Sequence, residues 1–463
     1  MIMQKNEIYK GVVTSLGSEG EGVIDLENGR AFVPGCLCGE EVSFKALRVK
    51  DDVVYGKIEE VLTPSPERVT PRCPVYSKCG GCQLQHMDYQ SQLVFKKGLV
   101  KNCLRKLGGI DFPVSDAVPS PEIFGYRNKL SMPVGTDKEG NAIVGPYAPR
   151  SHRIVSVDNC VLQRGSCSAL ISCLKLFMSR NNLKGYDDET RKGDIRYLVC
   201  RQLQDKYIIT LVATRRIKLD AFAEILDKEL TNFTLLLNVN SGTGNVIFSN
   251  KWYICRGQGY FEGEDCGVKF RAGANTFLQI NDGVRTELYS AITKEVCSPD
   301  TVAIDLYSGG GMLTAMLAQG CKAAYGIEVV KEAVICADEL KDMNDLQEKM
   351  FNICGTVEDN IQKVLADTEG AKRVIVCDPP RKGMQRSVVR EIINSGAEKV
   401  VLVSCNPATL ARDLGLLCGT LKEDGANIIR SDGNGAYRIK SVTPYDMFPQ
   451  TRHTEVLVCL KRN

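Results

Sequence analysis

The spacing of hydrophobic residues divides the chain into three regions. In residues 1–64, short apolar runs alternate with Gly, Asn and Asp, a pattern that predicts a small all-β unit. Asn28-Gly29 predicts a hairpin turn between two of these runs. The apolar runs occupy residues 9–13, 22–26, 30–33, 41–47 and 53–61.

The middle region, residues 65–270, has a mixed pattern. A proline-rich linker over residues 63–74 leads into a cysteine-rich loop at 73–82. Residues 89–107 carry apolar side chains at helical spacing among lysines and arginines, which predicts a basic amphipathic helix. Strand-like and helix-like segments then alternate over residues 122–270, so we expect a mixed α/β domain.

The last region, residues 271–463, alternates apolar strand patterns with helix patterns. This alternation predicts a parallel α/β sheet. Its first strand leads into a glycine-rich turn, giving the motif Asp305-x-x-x-Gly309-x-Gly311. Glycine allows a cofactor to approach such a turn closely, because a side chain would block it.

Acidic residues follow two more strands of this region. Glu328 ends the second strand, where an acid suits the ribose hydroxyls of a nucleoside cofactor. Asp378 follows the fourth strand in the motif DPPRKG and is expected at the carboxyl edge of the sheet. The glycine spacing differs from G-x-G-x-x-G, and together with Asp-Pro-Pro it favours a class I methyltransferase over an NAD-binding fold.

Cys405 follows the fifth apolar strand and precedes a helix. This position faces the cofactor crevice, and a helix N-terminus favours a thiolate. From position alone, a structural and a catalytic cysteine are equally consistent with the pattern. Glu455 begins the last apolar strand, which is expected to pair antiparallel with the segment YRIKSVTPYDMF. The turn of such a pair would lie near the active edge.

Another group of cysteines has the spacing of metal ligands. Cys73, Cys79 and Cys82 form C-x5-C-x2-C, and Cys160 is a candidate fourth ligand, with Cys167 as its nearest competitor. Four thiolates suit either zinc or an iron–sulfur cluster, and the spacing does not separate the two.

Composition adds little to this picture. The chain has 463 residues, of which 43% are hydrophobic and 25% charged, ordinary values for a globular protein. The net charge of +3 is weak evidence about partners, since RNA binding needs only a local basic face. No signal-like or membrane-spanning apolar run is present, so a cytoplasmic protein without a membrane partner is expected. No obligate protein partner is evident.

Eight ordered motifs resemble the bacterial RNA (uracil-5-)-methyltransferase family, specifically the type that acts on large-subunit (23S) ribosomal RNA. They cover essentially the whole chain: a start similar to a TRAM (OB-like) RNA-binding barrel, C-x5-C-x2-C, GYRNK, FLQIN, DLYSGGG, DPPRKG, SCNPATLARDL and FPQTRHTE. The resemblance implies domains at 1–64 (TRAM barrel), 65–270 (central domain with an iron–sulfur loop) and 271–463 (Rossmann-like methyltransferase domain).

The resemblance also implies a role for each matching residue. Cys405 corresponds to the nucleophile that adds to uracil C6, and Glu455 to the base that removes the C5 proton. Positions that contact S-adenosylmethionine are matched by Gln279, Tyr307, Glu328 and Asp378, and the ligands of a [4Fe–4S] cluster by Cys73, Cys79, Cys82 and Cys160. This assignment fits the chemistry, because uracil C5 becomes nucleophilic only after a thiolate has added to C6.

Other functions are less consistent with the sequence. Transfer-RNA uracil-5 methyltransferases generally lack the barrel and the cluster cysteines, so residues 1–82 argue against one. A cytosine-5 methyltransferase would have proline where Ser404 stands, and an amino-group methyltransferase an aromatic residue in place of Arg381. A non-catalytic RNA-binding or redox protein on this fold would not need Cys405 and Glu455 together with the glycine turn.

Overall fold

A computed structural model describes residues 4–165 and 167–463 of the chain. The apolar runs of the first region form one six-stranded sheet around a small core that includes Ile24, Val33 and Phe44. Neighbouring strands are antiparallel except for one parallel pair, β4 with β6. The strands are β1 (Ile8–Val12), β2 (Ser15–Leu16), β3 (Gly22–Leu26), β4 (Gly29–Val33), β5 (Glu41–Lys50) and β6 (Val53–Thr63), in the spatial order β1-β5-β6-β4-β3-β2.

The predicted basic helix is present as α1 (Tyr89–Cys103), followed by a π-helical turn, Leu104–Gly108. The Asp88 side chain caps α1 by accepting a hydrogen bond from the Ser91 N–H at 3.0 Å. One lysine of this predicted basic amphipathic helix does not face solvent: Lys96 is completely buried.

A second six-stranded sheet with two helices forms the rest of the middle region, in agreement with the predicted mixed α/β character. Its strands run in the order β12-β11-β10-β9-β7-β8. A separate two-stranded hairpin follows. The elements are β7 (Lys129–Thr136), β8 (Ala142–Val144), α2 (Cys167–Arg180), β9 (Ile195–Leu203), β10 (Lys206–Ala213), α3 (Asp220–Leu226), β11 (Phe233–Val239) and β12 (Trp252–Arg256), with the hairpin β13 (Tyr260–Asp265) and β14 (Val268–Gly273).

The last region contains the predicted parallel sheet, with strands in the order β17-β16-β15-β18-β19-β23-β22. The first five in this order are parallel, and β23 and β22 complete the sheet as the expected antiparallel pair. The elements are α4 (Asp282–Val296), β15 (Thr301–Leu306), α5 (Met312–Gly320), β16 (Ala323–Glu328), α6 (Lys331–Met343), β17 (Met350–Cys354), α7 (Val357–Asp367), β18 (Lys372–Cys377), α8 (Arg386–Asn394), β19 (Lys399–Ser404), α9 (Pro407–Cys418), β20 (Leu421–Asp424), β21 (Asn427–Arg430), β22 (Tyr437–Tyr445) and β23 (Glu455–Arg462).

Helices cover both faces of this sheet, so its central strands are buried on both sides. Along β15, Ala303 packs into one core and Ile304 into the other, because successive strand side chains point to opposite faces. The sequences of these strands are therefore continuous apolar runs. The polar side chains that follow the strands lie at the carboxyl edge of the sheet. In the part of the chain that the structure describes, no helix is long and apolar enough to cross a membrane.

Candidate active site

An open cleft of about 720 Å³ lies at the carboxyl edge of the parallel sheet. Two of the four predicted cofactor residues, Tyr307 and Asp378, line it. Its other walls come from the segment before α4, from α4 itself, the hairpin β13–β14, the glycine turn and α6, and include Phe277, Leu278, Arg285, Tyr289, Phe270, Arg271, Ser308, Gly309, Gly310 and Cys336.

The glycine turn leaves space for a ligand. A Cβ atom placed on Gly309 or Gly310 would meet no other atom within 4 Å, although both residues line the cleft. Gly311 has a different role, since its Cβ would lie 2.7 Å from that of Ala337. This open cradle beside the turn fits the predicted nucleoside cofactor, and Gly311 lets α5 pack closely against α6.

Two carboxyl groups stand at the base of the cleft, Asp305 buried and Asp378 half-buried. Burial raises the pKa of Asp305 to about 7, opposed by the Thr314 hydroxyl, which donates a 2.6 Å hydrogen bond to it. Burial likewise raises the pKa of Asp378 to about 7. A carboxyl group with a pKa near 7 becomes negatively charged when it ionises, and a nearby cation favours this charged form. The cleft is therefore suited to a positively charged ligand.

The remaining two predicted cofactor residues lie beside the cleft rather than among its lining residues. Glu328 accepts hydrogen bonds from the backbone N–H groups of Gly309 at 3.0 Å and Val330 at 2.8 Å, so it braces the glycine turn. Gln279 is buried, and its backbone carbonyl accepts a hydrogen bond from the Asn128 side chain at 2.9 Å. Asn128 belongs to the motif GYRNK, which thereby reaches the segment in front of α4.

Cys405 lies between β19 and α9, as the sequence predicts, and α9 is capped by the Asn406 side chain, which accepts the Ala408 N–H at 3.1 Å. The expectation that this position favours a thiolate is not supported in this structure. Burial raises the pKa of the Cys405 thiol, and the negative charges of Glu455 and Asp378 raise it further. The helix N-terminus is thus outweighed by burial and by two carboxylates.

Arg381 supplies the opposing influence on Cys405. Its positive charge and a side-chain hydrogen bond both lower the pKa of the thiol. The Arg381 backbone carbonyl accepts hydrogen bonds from the Asn406 side chain at 2.9 Å and from the Thr409 hydroxyl at 3.4 Å, which dock the DPPRKG loop onto α9. In the sequence, Arg381 serves only to distinguish methyltransferase classes. One signal in the sequence indicates a role beside Cys405: Arg381 stands three positions after Asp378, at the same edge of the sheet.

Glu455 is the first residue of β23 and lies opposite Tyr445 at the end of β22. Only 3% of its surface is exposed. Burial and the charge of Asp378 raise its pKa well above the ordinary value, whereas Arg381 lowers it. The structure therefore brings Cys405, Glu455, Asp378 and Arg381 into one group of interacting side chains, of which Asp378 also lines the cleft.

The charges of four cations act on His453, which lies two residues before Glu455. Burial lowers its pKa to about 4, and the charges of four cations lower it further: Arg452, Arg381, Lys96 and Arg127. His453 is thus neutral near pH 7, and the positive charge around the site comes from the arginines, since the buried Lys96 is paired with Asp446. Such a charge distribution suits a polyanionic substrate.

The four predicted cluster cysteines come from the loop at 73–82 and from the segment before α2. Within residues 4–165 and 167–463, no three His, Cys, Asp or Glu side chains are arranged so that they could hold a metal ion, and this geometry does not support the predicted cluster. The thiols are nevertheless neighbours. Burial raises the pKa of Cys82 to about 12, and Cys160, Cys79 and Cys73 add to the effect through their charges.

Cys160 is distinguished from Cys167 by its neighbours. Electrostatic contacts join Cys160 to Cys73, Cys79 and Cys82. The thiol of Cys167 is buried at the start of α2 and interacts instead with Cys160 and Cys200.

Comparison with known proteins agrees with this geometry. Residues 168–463 match a family model described as tRNA (Uracil-5-)-methyltransferase. A Clostridium tetani protein named "Uncharacterized RNA methyltransferase" is 34% identical, and the match covers 99% of this chain and 97% of the relative. A Bacillus cereus protein of the same name is also 34% identical, over 99% of this chain and 98% of its own length.

The fold has a close structural counterpart. The crystal structure of Pyrococcus abyssi tRNA (uracil-54, C5)-methyltransferase in complex with S-adenosyl-L-homocysteine superposes with a TM-score of 0.76 at 24% identity. The superposition covers 97% of this chain and 99% of that one. At this level of identity the likeness concerns the fold alone.

Proposed function

We propose that this chain, which belongs to the tRNA (uracil-5-)-methyltransferase family, methylates C5 of a uridine in 23S ribosomal RNA. Cys405 would be the nucleophile and Glu455 the base. The observation that carries this proposal is the grouping of Cys405, Arg381 and Glu455 beside a cleft suited to a positively charged cofactor. The methyl donor would be S-adenosylmethionine.

The cleft fits that donor in its chemistry. The open cradle at Gly309 and Gly310 would take the nucleoside, and the carboxylates of Asp305 and Asp378 suit the positive charges of the sulfonium and the amino group. Tyr307, Glu328 and Gln279 stand on or next to the walls. When bound, S-adenosylmethionine supplies an electrophilic methyl group.

Cys405 would begin the reaction on the RNA. Its thiolate adds to uracil C6, a carbon–sulfur bond forms, and the electrons of the C5–C6 double bond move towards C5 and the O4 carbonyl. Arg381 stabilises the thiolate through its charge and its hydrogen bond. C5 thereby becomes nucleophilic enough to accept a methyl group.

Glu455 would complete the reaction. After methylation, C5 holds both a methyl group and a proton, and the carboxylate takes that proton. The electrons of the C5–H bond re-form the C5–C6 double bond and expel the Cys405 thiolate. Burial raises the pKa of Glu455, so its ionised form is a stronger base than an exposed carboxylate.

The choice of 23S rRNA rests on the family type that the eight motifs resemble, including the TRAM-like start and the C-x5-C-x2-C loop. A transfer-RNA uridine is the second candidate, and one observation favours it: the tRNA enzyme of Pyrococcus abyssi superposes over 97% of this chain. That superposition weakens the argument that residues 1–82 speak against a tRNA substrate.

The cluster remains part of the proposal. Cys73, Cys79, Cys82 and Cys160 would hold a [4Fe–4S] cluster, supported by the mutual electrostatic influence of their thiols, with zinc as the alternative. Methyl transfer is redox-neutral, so the group would stabilise the fold and help to position RNA.

Incubation with RNA that contains 5-fluorouridine tests the reaction and the substrate together. Fluorine cannot leave as a proton does, so the covalent adduct should persist after methylation. We expect a protein–RNA band that is stable to denaturation, depends on S-adenosylmethionine, and is absent in Cys405→Ala. A band with 23S fragments but not with tRNA supports the ribosomal target, the reverse result selects tRNA, and no band with either RNA refutes the mechanism.

A further inference from the structure

The loop 446–454 connects β22 to β23 and therefore delivers Glu455 to the site. The pair of Tyr445 and Glu455 closes its ends, and the Thr454 hydroxyl donates a 3.2 Å hydrogen bond to the Tyr445 carbonyl. The loop is largely buried. Much of what holds it belongs to the middle region of the chain, far away in sequence.

Gln92, on α1, holds the tip of this loop. Its side-chain oxygen accepts the backbone N–H of Gln450 at 3.0 Å, and its amide nitrogen donates to the Gln450 side-chain oxygen at 3.1 Å. The same nitrogen lies 3.1 Å from the Leu84 carbonyl and 2.9 Å from that of Met87. Only 1% of the surface of Gln92 is exposed, so water does not compete for these bonds.

Gln450 itself has a conformation that needs such support. Its φ of 68° lies in the left-handed region, which a residue with a side chain adopts at a cost. The Gln450 carbonyl accepts hydrogen bonds from the backbone N–H groups of Gln83 at 3.1 Å and Leu84 at 3.0 Å. Gln83 directly follows Cys82, so the end of the cysteine-rich loop also fixes the tip.

Lys96, one helical turn after Gln92, holds the start of the loop. Its ammonium group forms an ion pair with Asp446 and donates a 3.1 Å hydrogen bond to the Phe448 carbonyl. Neither Lys96 nor Asp446 has any exposed surface. Asp446 directly follows Tyr445, the residue opposite Glu455.

A completely buried ion pair is a poor way to gain stability. Removing two charges from water is costly, and apolar side chains of similar size often stabilise a fold as well or better. The ion pair instead constrains how the two segments that carry it are placed, because each charge accepts only a partner of opposite sign at short range. The pair thus fixes the register of loop 446–454 on α1, next to the strand that carries Glu455.

We propose that Gln92 and Lys96 are positioning residues, which hold loop 446–454 so that Glu455 meets the C5 proton of the methylated uridine. This inference rests on the proposed function. It predicts a defect confined to the last chemical step. Cys405 lies between β19 and α9, outside the loop, so addition to C6 should proceed.

The test uses the full-length protein and RNA with ordinary uridine, at the target found with 5-fluorouridine. The variants Gln92→Met and Lys96→Met are compared with Gln90→Met and Lys97→Met, which change an exposed and a half-exposed neighbour on the same helix. Lys97 pairs with the exposed Asp116. Lys96→Met/Asp446→Asn is added, because it leaves no unpaired charge. Quenched time courses measure the covalent adduct and the released methylated RNA separately.

In Gln92→Met and in the Lys96 variants, we expect release to slow by about 10- to 100-fold, the usual effect of a misplaced catalytic group, with adduct formation within about threefold of the parent. A methylated adduct then accumulates, as it should in Glu455→Gln. The control variants should release product at the parental rate.

The proposal is overturned if adduct formation and release fall in parallel in all these variants, or if release is unchanged in folded Gln92→Met. These results differ from a failure of the proposed function, in which the parent protein itself forms no adduct.

Discussion

The side chain of Arg381 hydrogen-bonds the thiol of Cys405, and its charge opposes the burial and the carboxylates that raise the pKa of that thiol. Three charged groups therefore set the ionisation of Cys405: Arg381 lowers its pKa, and Glu455 and Asp378 raise it. The nucleophile depends on one cation supplied by a neighbouring loop.

Replacing Arg381 with methionine should slow adduct formation at neutral pH by up to about fivefold, since Arg381 is exposed and a solvent-screened charge interaction contributes up to about 1 kcal/mol. The thiol pKa rises, so the rate should recover as pH increases. Adduct formation with 5-fluorouridine RNA measured from pH 6 to 10 checks this. The exposed neighbour Lys382 is the control, and a Lys382→Met profile that moves as far as that of Arg381→Met would contradict a specific role.

Glu455→Gln should form the methylated adduct with ordinary uridine but fail to resolve it. The glutamine keeps the size of the side chain and removes the base that takes the C5 proton. Denaturing gels with a radiolabelled methyl donor would show the label in the protein–RNA band. Normal release of methylated RNA from this variant would assign the proton removal to another group.

Binding of S-adenosylhomocysteine should depend on pH through Asp305 and Asp378. Both have a pKa of about 7 in the folded protein, raised by burial, and Glu328 adds to the shift at Asp305. The cationic amino group of the ligand favours their ionised forms, so binding releases protons. Affinity should rise from pH 6 to pH 8, by at most about tenfold per pH unit for each proton released.

The same shifts have the opposite effect on the empty protein. A carboxyl group whose pKa is raised on folding contributes stability at low pH, and that contribution is lost as pH rises from about 4 to about 7. Calorimetry in buffers of different ionisation heats measures the released protons, and thermal unfolding measures the stability. Asp378→Asn should reduce both effects, and an unchanged proton count in that variant would argue against its role.

Gly310→Ala should weaken cofactor binding without weakening the fold. The added methyl group meets no protein atom within 4 Å, so it projects into the space beside the turn. We expect an unchanged melting temperature and a loss of S-adenosylhomocysteine affinity of about 5- to 150-fold, the cost of a methyl-sized clash being about 1–3 kcal/mol. Gly244→Ala, equally unhindered but outside the cleft, is the control. Equal affinity in both variants would place the cofactor elsewhere.

Anaerobically purified protein should contain iron and sulfide if the four cysteines hold a cluster. Cys79→Ser and Cys160→Ser should lose both elements and the brown colour, because three thiolates hold a cluster poorly. Cys167→Ser should keep them, since that thiol lies away from Cys79 and Cys82. Elemental analysis that finds zinc would select the alternative metal, and cluster retention in Cys160→Ser would exclude this residue as the fourth ligand.

The sequence predicted the parallel sheet and the edge where its polar residues meet, because apolar runs and the residues after them are local signals. Cys405, Asp378 and Tyr307 lie where their strands end, as expected. Glu455 also begins a strand beside the active edge, because the final hairpin has a clear apolar pattern.

Contacts between distant segments were not predictable in this way. Lys96 looks like any other lysine of a basic helix, and its burial depends on Asp446, 350 residues away. The hydrogen bond between Arg381 and Cys405 depends on how one loop docks onto α9. The raised pKa of Cys405 follows from the packing around it, which outweighs the helix N-terminus that a local view would emphasise.

The pairing of Lys96 with Asp446 has a consequence for the modular construction of this enzyme. A fragment starting at residue 271 would contain the whole parallel sheet, all of the cleft lining except Phe270, and both proposed catalytic side chains. It would also leave the Asp446 carboxylate without its cation and Gln450 without the amide of Gln92. The methyltransferase region is therefore not structurally independent of the middle region. A fusion of it to another RNA-binding domain would have to include α1 and the residues that lead into it.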